Sequence, residues 1–110
     1  MSMEPSIQTL IDKFHSRMEK DEQAREEVRP LKKTINIDLE TEHYSMRLED
    51  AQISDFRSQM LDEADVTMIT TPESLQGLID GTLRPMKAYV TKKITIKGKI
   101  QDLMFLKKFF

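Results

Sequence analysis

The hydrophobic positions near the start of the chain repeat with the period of an α-helix. Apolar residues between Ser6 and Met18 fall three or four positions apart, which places them on one face: Ile7, Leu10, Ile11, Phe14 and Met18. The next stretch, Glu19 to Glu27, is almost entirely polar and predicts a solvated extension or a second short helix that Pro30 ends. The pattern therefore predicts an amphipathic N-terminal helix that packs on the remainder of the fold.

From Leu31 onwards the hydrophobic period changes to two, the spacing of a strand with one buried face. Five segments follow this pattern or a weaker form of it: Ile35 to Leu39, Tyr44 to Leu48, Ala51 to Phe56, Val66 to Thr70, and Lys93 to Lys97. A polar loop from Arg57 to Glu63 separates the third strand from the fourth. Consecutive strands with short turns are typical of a mostly antiparallel sheet with one covered face.

Short helices separate the last two strands. Thr70 precedes Glu73 by three positions, the spacing of a capping box, and Pro72 is tolerated in a first helical turn. Gly81 is placed to end this helix in a left-handed conformation, and Gly77 allows a neighbour to approach closely. A second short helix is predicted to start at Pro85. The apolar stretch from Ile100 to Phe110 predicts a terminal helix that lies against an apolar surface.

Length and composition favour one globular domain over residues 1–110. Cysteine is absent, no apolar run is long enough to cross a bilayer, and the first residues lack the pattern of a signal peptide, so we expect a cytoplasmic protein. Charge is divided unevenly. Arg84 to Phe110 carries eight basic residues and one acid, whereas the preceding part carries nine basic and 18 acidic residues. The basic end suits an anionic partner, or it attracts the acidic part of the same fold.

The residues that could carry catalysis are few and scattered. His15 lies beside the apolar stripe of the first helix, His43 lies in a predicted turn, and neither belongs to a metal-binding pattern. The acids at Asp62, Glu63 and Asp65 lack the spacing of a calcium loop and suit a solvated loop. With 3 glycines, a phosphate-binding loop is also excluded. We therefore predict no catalytic residue, no metal and no cofactor.

A nucleic-acid partner is not expected either. The basic end lacks aromatic residues interleaved on a strand face, and the sequence pI of about 5.7 is far from that of a typical nucleic-acid-binding domain.

Several short segments of the second half resemble the sterol carrier protein two family when they are taken together and in order. They are Ala64-Asp65-Val66-Thr67-Met68, then Leu75, Leu78 and Gly81, then Leu83-Arg84-Pro85 with Ala88-Tyr89, and finally Lys93 to Gly98. The resemblance implies an α+β fold: a five-stranded, mostly antiparallel sheet covered by an N-terminal helix, two short helices and a C-terminal helix, with an apolar cavity between sheet and helices. Lys92 stands where many relatives carry glycine.

The resemblance also implies a function, the non-catalytic binding and transfer of a lipid-like molecule such as a sterol, an isoprenoid or a fatty acyl chain. It assigns the cavity lining to the fourth strand, the two short helices, the last strand and a terminal lid. These lipid-binding candidates are Val66, Met68, Leu75, Leu78, Ile79, Met86, Tyr89, Ile94, Ile96, Leu103, Met104 and Leu106.

Membrane contact is expected at the basic end. Lys92, Lys93, Lys97, Lys107 and Lys108 would approach an anionic surface while Phe109 and Phe110 enter it. The alternative is a ligand-free interaction or accessory module that presents its C-terminal helix to a second copy, forming a homodimer, or to another protein.

Overall fold

The computed structural model describes residues 2–99 of the chain. In chain order the elements are α1 (Glu4–Lys20), α2 (Glu22–Val28), β1 (Lys33–Asp38), β2 (His43–Glu49), β3 (Gln52–Arg57), β4 (Val66–Ile69), α3 (Pro72–Asp80), α4 (Pro85–Val90) and β5 (Thr95–Lys97). The α+β class and the five-stranded sheet are thus confirmed. The terminal helix predicted for residues 100–110 lies outside the described residues.

The two N-terminal helices follow from the apolar spacing and a side-chain cap. All five apolar residues of the predicted stripe on α1 are buried. The polar stretch after them forms α2, which Asp21 caps by accepting the backbone N–H of Ala24 at 3.0 Å. Ala24 and Val28 are the buried residues of α2. None of the helices among residues 2–99 is long and apolar enough to span a membrane.

The strands are arranged in the order β3-β2-β1-β4-β5. β1 and β4 run parallel, and the other three pairs are antiparallel. Residues paired across a ladder share a face, so one apolar row crosses four strands through Tyr44, Ile37, Met68 and Ile96. Because of this row, the covered apolar face of the sheet extends from the centre of the core to the edge strand β5.

The opposite face of the sheet is partly covered by the loop that follows β3. Asn36, which the alternation predicts as an exposed polar residue, is buried. Its side-chain amide donates to the Leu61 carbonyl at 3.0 Å, and its carbonyl accepts the Leu61 N–H at 2.9 Å. Because these bonds satisfy both ends of the amide, burial of Asn36 is tolerated and fixes the loop over β1.

α3 begins one residue later than the capping-box pattern predicts. Thr71 is the N-cap residue and accepts the Ser74 N–H at 3.1 Å, whereas Thr70 is buried and donates to the Lys93 carbonyl at 2.9 Å. Gly81 ends the helix with φ of 83°, as predicted. A Cβ atom on Gly77 would lie 3.1 Å from the Leu83 Cβ, so this glycine does permit a close approach.

Candidate ligand-binding groove

A groove with a volume of about 410 Å³ lies between α4 and the edge strand β5. Its lining residues are Tyr89, Val90, Lys92, Ile94, Thr95 and Ile96. Four of these six side chains are apolar or aromatic, and Lys92 supplies the cationic group. A mostly apolar surface with a few polar groups is typical of a small-molecule site, and the volume falls within the usual range for such sites.

Backbone hydrogen bonds hold the two walls of this groove together. The N–H groups of Lys93 and Ile94 both donate to the Ala88 carbonyl, at 2.8 and 3.3 Å, so the chain folds back beneath α4 as it enters β5. Lys92 makes this reversal with φ of 63°, in the left-handed region. The Thr70 hydroxyl then ties the Lys93 carbonyl to the end of β4. These hydrogen bonds therefore fix the position of α4 relative to β5.

The structure brings together three of the predicted lipid-binding residues in this groove: Tyr89, Ile94 and Ile96. Met68 is paired with Ile96 on the neighbouring strand, shares its face of the sheet and belongs to the buried core.

The remaining described candidates have different surroundings. Val66, Met68, Leu75 and Leu78 are buried, and Ile79 packs against the core while partly exposed. Met86 is exposed on α4.

The other candidates, Leu103, Met104, Leu106, Lys107, Lys108, Phe109 and Phe110, lie outside the described residues. Sequence reasoning missed Val90, which lines the groove and is 73% exposed. No sequence signal places it there, because α4 has only 6 residues and shows no clear period.

A second cavity of about 450 Å³ lies where α1 and α2 meet the turn between β2 and β3, and its lining is mostly charged or polar. Two of its side chains make hydrogen bonds within the fold, although the buried Arg25 Nε has no hydrogen-bond partner among the described residues. His15 Nε2 accepts the Ile53 N–H at 2.9 Å, and Arg25 Nη1 donates to the Met18 carbonyl at 3.3 Å. Within residues 2–99 no group of three or more potential ligands is arranged to hold a metal ion.

The carboxylates with shifted pKa values also lie away from the groove. Hydrogen bonds from the Tyr44 hydroxyl and the Met3 N–H lower the pKa of Glu42, and the Thr34 N–H and hydroxyl lower that of Asp65. Burial, followed by the bond to Glu42, raises the pKa of Tyr44. The bonds from Met3 to Glu42 and from Thr34 to Asp65 connect distant parts of the chain, and we interpret these contacts as structural.

A family model describing the SCP-2 sterol transfer family matches residues 11–110. The chain belongs to the SCP-2 sterol transfer family. This confirms the family that the segments between Ala64 and Gly98 indicate, and the match includes both walls of the groove. Among curated proteins, none matches the sequence significantly.

Solved structures of this family share the fold across nearly the whole chain. A ubiquinone synthesis protein, UbiJ-SCP2, is 16% identical with a TM-score of 0.66, covering 96% of this chain and 90% of its own. Palmitated SCP2L2 from Aedes aegypti is 19% identical with a TM-score of 0.65, and the match covers 93% of this chain and 91% of the SCP2L2 chain. At these identities the likeness establishes the fold alone.

The same fold also occurs as a small part of a much larger enzyme. The sec-alkylsulfatase Pisa1 from Pseudomonas sp. is 18% identical with a TM-score of 0.63, and the match covers 77% of this chain. It covers 13% of the sulfatase chain, so the chain described here spans only a small fraction of that protein.

Proposed function

We propose that residues 1–110 act as a non-catalytic carrier domain that binds and transfers a lipid-like apolar molecule. The observation that carries this proposal is the groove between α4 and β5. Its apolar side chains continue the covered face of the sheet through the paired residues Ile96 and Met68. A ligand placed there would extend the hydrophobic core of the protein, and the burial of its apolar surface would drive binding.

The composition of the groove favours a ligand with an acyl or isoprenoid chain and a polar or anionic end. Ile94 and Ile96 offer contacts to the chain, while Lys92 and Thr95 place an ammonium and a hydroxyl in the same lining. The existence of a palmitated structure of the Aedes aegypti relative supports a fatty acyl ligand for this fold. The proposal therefore names fatty acids as the first class to test, with sterols as competitors.

Binding without catalysis is supported by the roles of the candidate groups. His15 is used as a hydrogen-bond acceptor for the backbone of β3, and His43 lies 3.3 Å from Asp38 on the surface of the sheet. Neither histidine is among the groove-lining residues. Among the described residues, the groove lining contains no histidine and no carboxylate that could orient a nucleophile such as the Thr95 hydroxyl.

The proposal is tested by extracting the natively purified protein, identifying stoichiometric lipid by mass spectrometry, and displacing a fluorescent fatty acid. Ile96→Ala removes half-buried apolar surface from the groove and is expected to weaken probe binding about ten-fold. Met60→Ala is the matched control, because Met60 is an exposed apolar residue outside the groove. A clean extract together with no probe binding would contradict the carrier function.

One observation favours a second candidate function, an interaction or dimerisation module. Met86, Tyr89 and Val90 of α4 are exposed, and Val90 is 73% exposed. A module of this kind would form a dimer that Val90→Ser dissociates in sedimentation experiments, and it would bind no lipid probe.

A further inference from the structure

α4 presents its apolar side chains to solvent. Met86, Tyr89 and Val90, which we call the α4 ridge, are 41%, 39% and 73% exposed. Met86 and Val90 lie one helical turn apart and so share a face, while the small residue Ala88 is buried on the opposite side. Within residues 2–99 the ridge does not belong to the hydrophobic core, and an exposed apolar patch of this kind marks an interaction surface.

Basic residues surround the ridge. Arg84, Lys87, Lys92 and Lys93 are exposed, and no acidic residue occurs from Gly81 to Gln101. Among residues 2–99, none of the ion pairs engages these four side chains. The chain as a whole has a net charge of -2, so this positive surface is a local feature and would orient the protein toward an anionic partner.

The backbone at Lys92 adds a separate observation. Lys92 has φ of 63°, a conformation that glycine adopts freely and that other residues adopt at a cost. The residue at this strained turn carries a positive charge and lines the groove beside the ridge. The same left-handed conformation occurs at Glu40, Asp50, Ala51 and Asp55, so what distinguishes Lys92 is its charge and its place beside the ridge.

We propose that the α4 ridge and its basic rim dock the protein on an anionic lipid surface. Met86 and Val90 would enter the boundary between headgroups and acyl chains, while Lys87, Lys92 and Lys93 contact headgroup phosphates. A soluble polyanion would use the lysines and leave the apolar ridge exposed. An apolar protein partner would use the ridge and leave the charges unpaired. A lipid surface with anionic headgroups matches both features.

This placement has a consequence for the carrier, and only this part rests on the proposed function. Val90 and Lys92 belong both to the docking surface and to the groove lining. Docking would therefore bring the groove against the bilayer, so that a lipid could pass between them with little exposure of its chain to water.

Docking is measured by sedimentation of the full chain with phosphatidylcholine vesicles that contain or lack phosphatidylserine. The wild type is expected to bind only when phosphatidylserine is present, and to be released by salt. A triple variant, Lys87→Gln, Lys92→Gln and Lys93→Gln, is expected to bind about 100-fold more weakly, since each lysine contributes roughly five-fold. Its matched control changes three exposed lysines elsewhere, Lys13→Gln, Lys20→Gln and Lys32→Gln, and is expected to bind like the wild type.

Two single variants separate docking from folding. Lys92→Gly relieves the backbone strain, so its Tm is expected to rise by about 3 °C while vesicle binding falls about five-fold. Val90→Ser removes exposed apolar surface and is expected to weaken vesicle binding about ten-fold without altering its salt dependence. Loss of stability in step with loss of binding would contradict the docking role of Lys92.

Three outcomes would overturn the proposal. The first is equal binding to vesicles with and without phosphatidylserine. The second is an equal effect of the control triple. The third is binding to heparin, or self-association that Val90→Ser abolishes, in a protein that does not bind vesicles. Fatty-acid displacement is measured without vesicles, so the two proposals can fail separately. If the protein binds the probe but does not bind vesicles, the proposed docking surface is wrong and the carrier function stands. If it binds vesicles but not the probe, the carrier function is wrong and the docking surface stands.

Discussion

The two histidines illustrate what a single residue contributes in this fold. His15 Nε2 accepts the N–H of Ile53, which lies on β3 and is almost fully buried. An acceptor nitrogen carries no proton, so the neutral imidazole is the form that makes this bond. His43 is exposed at the start of β2, and its Nε2 lies 3.3 Å from Asp38 Oδ1 at the surface. The same residue type therefore has a structural role in one place and little effect in the other.

Replacing these histidines should have unequal effects on stability. His15→Ala leaves the buried Ile53 N–H without a partner and is expected to lower the free energy of unfolding by about 2 kcal/mol. His43→Ala is expected to cost less than about 0.5 kcal/mol, because contacts between polar side chains at the surface contribute little. Urea denaturation of both variants measures the difference, and His15→Gln, which keeps an acceptor, should recover part of the loss. Equal losses in the two alanine variants would disprove the assigned role of His15.

For single residues, the sequence predicts which face of a strand is buried better than it predicts which residues form hydrogen bonds with each other. The alternation in β1 places Ile35 and Ile37 correctly in the core, but it cannot reveal that Asn36 is buried too. Burial of Asn36 depends on the backbone of Leu61, which lies 25 positions away along the chain. Such a contact forms through tertiary packing, so the local spacing of hydrophobic residues does not indicate it.

Among the elements, α3 tests the importance of the cap most directly. Thr71 accepts the Ser74 N–H, and Thr71→Ala is expected to lower the free energy of unfolding by about 1 kcal/mol. Hydrogen exchange should be faster at the Ser74 amide, and Thr71→Ser should restore both properties because a serine hydroxyl can cap in the same way. If Thr71→Ala left exchange in the first turn of α3 unchanged, the cap would have no energetic role.

The elements themselves were largely predictable, and their ends were less so. Both threonines before Pro72 are good caps in sequence, and the pattern with Glu73 favours Thr70. The structure uses Thr70 instead to hold the start of β5, an interaction between residues 23 positions apart. The groove shows the same limit. Its residues Ile94 and Ile96 follow from strand alternation, whereas Val90 lies in a helix too short for a clear period.

For the whole molecule, the sheet order was the feature hardest to predict. A run of strands suggests neighbours in sequence order, but β4 inserts beside β1 and runs parallel to it. This pairing places the end of β4 next to α3 and brings β5 to the edge, where α4 can form the groove. Local patterns therefore predicted the parts of the site, and the crossover between β3 and β4 brought them together.

Global stability should fall in acid because carboxylates join distant parts of the chain. Glu42 accepts hydrogen bonds from the Met3 N–H at 2.7 Å and from the Tyr44 hydroxyl at 2.5 Å, linking the start of α1 to the sheet. These bonds lower the pKa of Glu42, so the unfolded chain binds a proton at this carboxyl more readily than the folded protein does. The stabilisation is complete above the ordinary glutamate pKa of about 4.3, and it is lost as the pH falls through the lower folded value.

Glu42→Gln removes this titration and keeps a side chain of similar shape. At pH 7 the variant is expected to be less stable than the wild type by about 1 kcal/mol, because an acceptor without charge makes weaker hydrogen bonds. The difference should be smaller near pH 3, below the ordinary glutamate pKa of about 4.3, because the unfolded wild-type chain then binds a proton at this carboxyl. Urea denaturation at both pH values measures it, and Glu40→Gln is the control, since Glu40 is an exposed glutamate in the same turn. A stability difference that is the same at both pH values would mean that Glu42 acts through its shape, and the acid sensitivity would then come from other carboxylates, such as Asp65 at Thr34.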